Sequence, residues 1–295
     1  GTEYWLKQDF SALSTLKLAS ENQLAVNKEF SPKSIASTIE HSLNITIADI
    51  ANKYKTSVAT VLLSCFTILL WRLTKQPQTI VGVTYDCRNY EGLESALGLF
   101  AKHLPLVCEL KNHLKFSEVL HQIHELTGKN ADWQEYFTLE DTALSFLPFC
   151  FEFEHRESKY CAGELAFSID KQYAYIDRFK VKLCCWSQND RLGFDLQYDT
   201  CLFETDAIEH LVGRFQSLLI SVASNPQAVI GNLNILSDRE RQQLLVEFNN
   251  TQTSYPCDKC IPELFTAQAE QTPDNIALIC GNQTLTYREL NAQAN

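Results

Sequence analysis

The longest apolar run in the chain sets the strongest limit on its fold. It extends from Val58 to Trp71, and only three hydroxyl side chains interrupt it, Thr60, Ser64 and Thr67. A helix that crosses a bilayer needs about 20 apolar residues, so this run is too short to span one. A helix that is apolar on nearly all sides must be enclosed by protein. The sequence therefore predicts a buried central helix over residues 57–73.

The composition is that of a globular protein with a substantial core. The chain has 295 residues, of which 45% are hydrophobic and 21% are charged, and this length suits one large domain or two small ones. Its formal charge of −11 comes with no basic cluster in the sequence, which argues against nucleic acid as a partner.

The cysteines and the first residues indicate the compartment and the extent of the chain. Eleven cysteines, an odd number without regular spacing, predict free and mostly buried thiols rather than a disulfide framework. Such thiols are typical of a reducing cytosol, so we expect a cytoplasmic protein. No signal peptide opens the chain, and a start at Gly1-Thr2-Glu3 is expected of a piece cut from something longer.

Hydrophobic periodicity predicts interleaved helices and strands, and hence an α/β or α+β fold. Leu192, Phe194 and Leu196 alternate with polar residues as in a half-buried strand. Pro105 is expected near the start of its strand, where a missing N–H does least harm. The predicted helices cover residues 45–55, 57–73, 116–126 and 205–223, and the predicted strands cover 79–84, 104–110, 147–154, 179–186 and 192–198.

The composition changes at about Ser237. Ser237 and Glu240 have the spacing of a capping box that opens a short charged helix. Residues 249–256 are polar and turn-forming, and we interpret them as an interdomain linker. Beyond this linker the sequence predicts a helix over 261–269 and then a hairpin. The hairpin strands and turn are placed at 277–279, 284–286 and Gly281-Asn282.

Several stretches resemble the junction between a condensation domain and an adenylation domain of non-ribosomal peptide synthetases. Residues 57–76 resemble the family's central core helix, and 97–106 resemble its Gly-x-Phe-Val-Asn-Thr-Leu-Pro-Leu motif. Further similar stretches are Tyr4-Trp5, Leu16-Lys17-Leu18, 80–89, Leu202-Phe203, 211–215 and 236–245. The resemblance is weakest between about Lys129 and Lys180.

The end of the chain resembles the opening of an amino-acid adenylation domain at many ordered positions. These are Tyr255-Pro256, Cys260, Glu263-Leu264-Phe265, Gln271-Thr272-Pro273-Asp274, Ala277-Leu278 and Leu285-Thr286-Tyr287-Arg288-Glu289-Leu290-Asn291.

The resemblance implies a single chloramphenicol-acetyltransferase-like lobe, a linker and a short N-terminal piece of an adenylation domain. We expect the C-terminal lobe of an incomplete condensation domain over 1–236, the linker over 237–262 and the adenylation piece over 263–295. In complete condensation domains two such lobes form a V with the active site in the tunnel between them. The complete domain joins a donor acyl group to an acceptor amine, each delivered as a thioester on the phosphopantetheine of a carrier protein.

The residues that carry this family's chemistry are missing from the chain. The family uses a His-His-x-x-x-Asp-Gly motif in its N-terminal lobe, where the second histidine positions the amine or accepts its proton. The seven histidines here include no adjacent pair, so we assign no catalytic residue. Ala101-Lys102-His103 replaces the Val-Asn-Thr expected to face the tunnel, and Ser145-Phe146-Leu147-Pro148 stands where an Arg-Asn-Pro turn is expected.

These departures favour a catalytically inactive lobe that acts as a structural platform for the adjacent adenylation domain in cis. The alternative is half of a split or truncated enzyme that forms amide bonds once an N-terminal lobe is supplied. A third hypothesis is a module that binds an unrelated acyl ligand on the open apolar half-tunnel. A carrier protein is a further possible partner. The expected interface and linker residues are Ser237, Glu240, Tyr255, Pro256, Leu264 and Phe265.

Other candidate sites have ordinary explanations. Cys257 and Cys260 form a lone Cys-x-x-Cys without the second pair that zinc needs, and His121 and His124 lack acidic partners in order, so we predict no metal site. His103 is interpreted as a polar spacer rather than a catalyst, and Lys102 in the same way. The adenylation piece ends before the phosphate loop, so we expect no cofactor here and ATP binding only by a complete adenylation domain.

Overall fold

The computed structural model describes residues 1–22, 29–93, 95–138, 146–156, 160–167, 175–254 and 258–295. The chain divides into two compact units, residues 1–241 and residues 242–295. The predicted linker, 237–262, spans the boundary between these units. The assignment of 1–236, 237–262 and 263–295 to named domains stays a prediction.

The first unit is built on a six-stranded mixed sheet. The strands of this unit are β1 Pro32–Thr38, β2 Gln78–Tyr85, β3 Lys102–Glu109, β4 Phe149–His155, β5 Tyr160–Ala162, β6 Leu165–Phe167, β7 Val181–Gln188 and β8 Arg191–Asp199. The sheet order is β1-β8-β7-β4-β2-β3, and β5 and β6 form a separate two-stranded ribbon. Strand β4 is parallel to β2 and to β7, and the other pairs are antiparallel.

Four long helices pack against this sheet. The helices of the unit are α1 Thr2–Leu6, α2 His41–Lys53, α3 Val58–Thr74, α4 Phe116–Asp132, α5 Thr205–Ser224 and the short α6 Asp238–Gln242 at its end. Phe215 of α5 packs edge-on against Phe194 of β8 and against Phe66 of α3. The central helix predicted from the apolar run is therefore confirmed as α3. Ser57 caps it by accepting a hydrogen bond from the Thr60 N–H at 3.1 Å.

Residues 1–22 contact the first unit both beside the edge strand β3 and in the segment that follows β8. The Trp5 side chain is buried beside Leu104 of the edge strand β3, and its Nε1 donates to the Trp133 carbonyl at 2.9 Å. At the other end, the Asn22 N–H donates to the Leu202 carbonyl beyond β8 at 2.8 Å. Leu16 between them is buried in the main core.

Most long elements agree with the sequence predictions to within a few residues. However, α4 extends to Asp132, beyond its predicted end at 126, and neither strand β1 nor the helix Tyr287–Ala294 was predicted. Pro105 is the fourth residue of β3 rather than near its start, and it is tolerated because β3 lies at an edge of the sheet. Of the ten cysteines described, all are free and six are buried, as predicted. Among the described helices none is alone long and apolar enough to cross a bilayer, and α2 with α3 meets that test only as a pair bent by 102°.

The second unit contains the helix and the hairpin that the sequence predicts. Its elements are a π-helical turn at Gln243–Glu247, α7 Ile261–Gln271, β9 Ile276–Cys280, β10 Gln283–Thr286 and α8 Tyr287–Ala294. Gly281 takes a positive φ of 59° in the hairpin turn. Ala269 is the one described hydrophobic side chain of this unit that is buried. The unit therefore has almost no core of its own.

Candidate functional site

One face of the six-stranded sheet carries a row of polar side chains, and the strand register explains why. Side chains of residues opposite one another in neighbouring strands point to the same face. Lys182 of β7 lies between Cys150 of β4 and Gln197 of β8, and Cys184 lies between Glu152 and Asp195. We call this surface the polar face. It consists of Thr84, His103, Cys150, Glu152, Glu154, Lys182, Cys184, Trp186, Asp195 and Gln197.

Lys182 is the most deeply buried charge on the polar face. Its side chain is 1% exposed and forms an ion pair with Glu152, whose side chain is 27% exposed. Burial acts to lower the pKa of Lys182, but the Glu152 carboxylate, with which Lys182 pairs, acts against burial, and the pKa is raised above its ordinary value. Lys182 is therefore held as a cation inside the sheet, and Glu152 balances its charge.

A second charged group lies further along the same face. The Arg156 guanidinium pairs with Glu154 and, at 3.3 Å, with Asp195. It also stacks on the Trp186 ring, 4.8 Å from the centroid. The Trp186 indole ring lies directly over Gly193, so closely that a Cβ at position 193 would overlap the ring. Glu154 and Asp195, the described acids of this group, are thus both paired with the Arg156 guanidinium.

His103 ends the polar face at the edge strand β3. Its ring is 4% exposed, and Nδ1 lies 3.6 Å from Cys150 Sγ. Its Nε2 is buried without a hydrogen-bond partner among the described residues. Burial, aided by the positive charge of Lys182, lowers the pKa of His103 to about 3. The imidazole is therefore neutral at physiological pH and a poor proton acceptor.

The other predicted tunnel positions lie beside His103. Ala101 is partly buried just before β3, and Lys102 donates from Nζ to the Phe137 carbonyl at 3.5 Å. The carbonyl of Pro148 accepts from the N–H groups of Lys180 and Val181. Ser145 lies outside the described residues. These positions therefore contribute packing and main-chain hydrogen bonds.

The polar face offers little reactive chemistry. Burial raises the pKa of the Cys150 and Cys184 thiols above the usual range. A thiol acts as a nucleophile through its thiolate, so these cysteines are held in the unreactive form. The imidazole of this face is neutral and its described carboxylates are paired with cations. None of its described side chains is therefore available as a base, and the face can only position or exclude parts of a bound molecule.

The predicted interface residues at the end of the first unit form a hydrogen-bonded cluster. The Glu240 carboxylate accepts from the Ser237 N–H at 3.1 Å and hydroxyl at 3.2 Å, while the Glu240 N–H donates to Ser237 Oγ at 3.1 Å. The predicted capping box is thus confirmed. Arg214 of α5 donates to the other Glu240 oxygen at 2.9 Å, so this box is anchored to the lobe.

The remaining predicted residues lie apart from the polar face or outside the described residues. Tyr255, Pro256 and Cys257 fall in the undescribed part. Leu264 is exposed, and Phe265 packs against Tyr287 with ring centroids 5.9 Å apart. His121 pairs with Glu125 at 3.4 Å and His124 meets the Thr56 hydroxyl at 3.0 Å. Within the described ranges, no three His, Cys, Asp or Glu side chains group as metal ligands.

Sequence reasoning did not identify the charges of the polar face as a site. Lys182 and Glu152 each occur within a largely apolar segment, and a charge there predicts a buried partner. The sequence therefore indicated that each of these two charges has a buried partner. It could not indicate that Lys182 and Glu152 pair with each other, because this pairing depends on β4 and β7 being neighbours in the sheet.

Comparison with known proteins defines the family. A family model described as a condensation domain matches residues 1–245. The chain belongs to the condensation-domain family. Bacitracin synthase 2 of Bacillus licheniformis is 28% identical over 303 residues, which cover 99% of this chain and 12% of that protein. Gramicidin S synthase 2 of Aneurinibacillus migulanus is 26% identical over 303 residues, which cover 99% of this chain and 7% of that protein. The condensation domain described here thus spans only a small part of these relatives.

Solved structures agree on the fold of this condensation domain. A four-domain nonribosomal peptide synthetase bound to AMP and glycine matches 98% of this chain and 24% of its own, with 17% identity and a TM-score of 0.76. The X-domain from teicoplanin biosynthesis matches 80% of this chain and 56% of its own, with 17% identity and a TM-score of 0.63. The predicted α/β fold of the chloramphenicol-acetyltransferase type is thereby confirmed, and its sheet is mixed.

Proposed function

We propose that the first unit is the C-terminal lobe of a non-ribosomal peptide synthetase condensation domain and does not form amide bonds by itself. Its role is then that of a structural platform for an adjacent adenylation domain. Complete condensation domains of this kind would join acyl and aminoacyl groups carried as thioesters by carrier proteins. Free thiols in the described chain suit the cytoplasm as the place of this work.

The observation that carries this proposal is the state of the polar face. Amide formation from an amine needs a group that can accept or position its proton near neutral pH. The imidazole on this face, His103, has a pKa lowered to about 3 by burial. The apolar framework around it is complete, with Leu104, Leu106 and Phe149 fully buried. A lobe with a full core and no available base suits a supporting role.

Deletion of the lobe tests the platform role. A chain that extends through a complete adenylation domain is compared with the same chain lacking residues 1–236. We expect the deletion to lower the solubility and the rate of amino-acid-dependent ATP–pyrophosphate exchange. Unchanged solubility and exchange rate would refute the role as a platform.

An exposed loop supports the second candidate function, half of an enzyme completed by an N-terminal lobe. Arg88 fixes the loop by donating to the carbonyls of Leu93, Ala96 and Gly98 and by stacking on Phe100 at 4.5 Å. In the described part of this loop, Leu97 is nonetheless fully exposed, and the side chains of Leu99 and Tyr90 are exposed as well. Exposed leucines held by such main-chain contacts are suited to contact another protein surface.

Mixing the chain with a separately produced N-terminal lobe that carries His-His-x-x-x-Asp-Gly tests this alternative. Amide product from two loaded carrier proteins, lost when Leu97 is changed to Lys, would support it over the inactive platform. An Ile45→Lys variant is the matched control, because Ile45 is an exposed apolar residue on α2.

The second unit supports the proposal of an adenylation domain downstream. Its hairpin exposes Ile276, Leu278 and Ile279, and α7 exposes Ile261. A segment with so little buried apolar surface cannot balance the entropy of folding alone. Residues 242–295 produced alone should therefore lack cooperative unfolding. The same residues within a complete adenylation domain should be protected from hydrogen exchange.

A further inference from the structure

Among the described residues, one cleft of this acidic chain is lined by basic side chains and by no acidic ones. It lies where α3 ends and β3 leads toward α4, and it encloses about 680 Å³. Its lining residues are Trp71, Arg72, Lys75, Pro77, Leu110, Lys111, Asn112 and His113. The sequence shows no basic cluster here, because the fold brings together residues almost 40 positions apart.

The basic groups of the cleft have no acidic partner in the part of the chain that the structure describes. Arg72, Lys75, Lys111 and His113 form no ion pair with any described residue. Glu109 precedes the cleft in sequence but does not line it. A concave surface of one sign concentrates ions of the opposite sign. The chain as a whole carries −11, so this cleft departs from the average of the surface.

Arg72 is held rigidly at the base of the cleft. Its Nη1 donates to the carbonyls of Ile230, Gly231 and Leu233 at 3.0–3.1 Å. The Nε and Nη2 groups make no hydrogen bond with the described residues. Burial lowers the pKa of Arg72, as expected of a desolvated cation with no counter-ion nearby. The guanidinium is therefore fixed at one nitrogen and has donors left for an anion.

We propose that this cleft binds the phosphate group of a phosphorylated small molecule. A guanidinium and two ammonium groups suit phosphate oxygens. The volume falls in the range of small-molecule sites, and Trp71, Pro77 and Leu110 supply apolar contacts for the organic part.

Calorimetric titration of the full chain with inorganic pyrophosphate and with inorganic phosphate tests the site. We expect one saturable site for pyrophosphate and weaker binding of phosphate, because pyrophosphate carries more charge into the cleft. Changing Lys75→Gln and Lys111→Gln together should weaken pyrophosphate binding by about tenfold or more. Both lysines are exposed and bond no described side chain, so the variant should keep its fold and melting temperature.

The matched control removes two lysines elsewhere. Lys17→Gln with Lys129→Gln makes the same change in net charge at exposed positions outside the cleft, and its affinity should stay within about twofold of the parent. Equal loss in both double variants would overturn the site, because it would indicate a general charge effect. Absence of saturable pyrophosphate binding would overturn it as well. A glutamate-rich peptide that binds more tightly than pyrophosphate would replace the phosphate assignment with an acidic protein partner.

Discussion

The buried imidazole of His103 predicts a specific dependence of stability on pH. In the folded chain the pKa of His103 is lowered to about 3 by burial and by Lys182. In the unfolded chain a histidine has a pKa of about 6.5. Between these two values the unfolded state binds a proton that the folded state does not. The free energy of unfolding therefore falls as the pH is lowered through this window.

The magnitude follows from the width of the window. Each pH unit below about 6.5 costs about 1.4 kcal/mol until the pH approaches about 3. Lowering the pH from 7 to 5 should therefore remove about 2 kcal/mol of stability through His103 alone. A His103→Gln variant has no such group. Its unfolding free energy should fall by about 2 kcal/mol less than that of the parent over the same interval.

Urea denaturation of parent and variant at pH 7 and at pH 5, followed by tryptophan fluorescence, measures this difference. The side chain of His210 on α5 is exposed and makes no hydrogen bond with a described residue, so His210→Gln is the matched control and should behave as the parent. If His103→Gln and the parent lose the same stability between the two pH values, the imidazole is not buried in its neutral form. The physical basis for excluding it as a base would then be wrong.

Three further substitutions have expected effects on unfolding free energy, measured by the same denaturation experiment at pH 7. Glu152→Gln should cost about 3 kcal/mol, because it removes the carboxylate that balances the buried Lys182 cation. A loss below about 1 kcal/mol would contradict that role of Glu152. Gly193→Ala should cost about 1–3 kcal/mol, because the new Cβ would overlap the Trp186 ring, and unchanged stability and fluorescence would contradict that contact. Glu240→Ala should cost about 2 kcal/mol, since it removes the capping box and its anchor to α5. Proteolysis near residue 241 should also become faster. Resistance to proteolysis equal to that of the parent would contradict the anchoring role of Glu240.

The regular elements could be predicted because their signals are local. The run from Val58 to Trp71 predicts α3, and the alternation around Phe194 predicts β8. Strand β1 was missed because Pro32–Thr38 contains only two apolar positions away from its proline, Ile35 and Ala36. Its strand conformation comes from pairing with β8 along its whole length. Such pairing depends on a partner more than 150 residues away, and no local pattern carries it.

The family was likewise available from sequence, but the chemistry of His103 was not. A histidine beside an expected tunnel can titrate near neutrality or far from it, depending on burial and on neighbouring charge. The burial of the ring and the charges near it are both set by the packing of the sheet. Lys182, which contributes to lowering the pKa of His103, lies on β7, beyond β2 and β4 in the sheet order β3-β2-β4-β7.

The pairing of charges on the polar face bears on whether this lobe could regain activity from a second one. Catalysis by charged groups requires that they interact more strongly with the transition state than with the ground state. The Lys182 ammonium is already balanced by Glu152, and the Arg156 guanidinium by Glu154 and Asp195. To act on a reacting centre, either cation would have to leave its present partner and expose an unbalanced charge in the sheet. If a second lobe is added, we therefore expect it to bring its own histidine, and we expect Lys182 and Arg156 to keep their present partners.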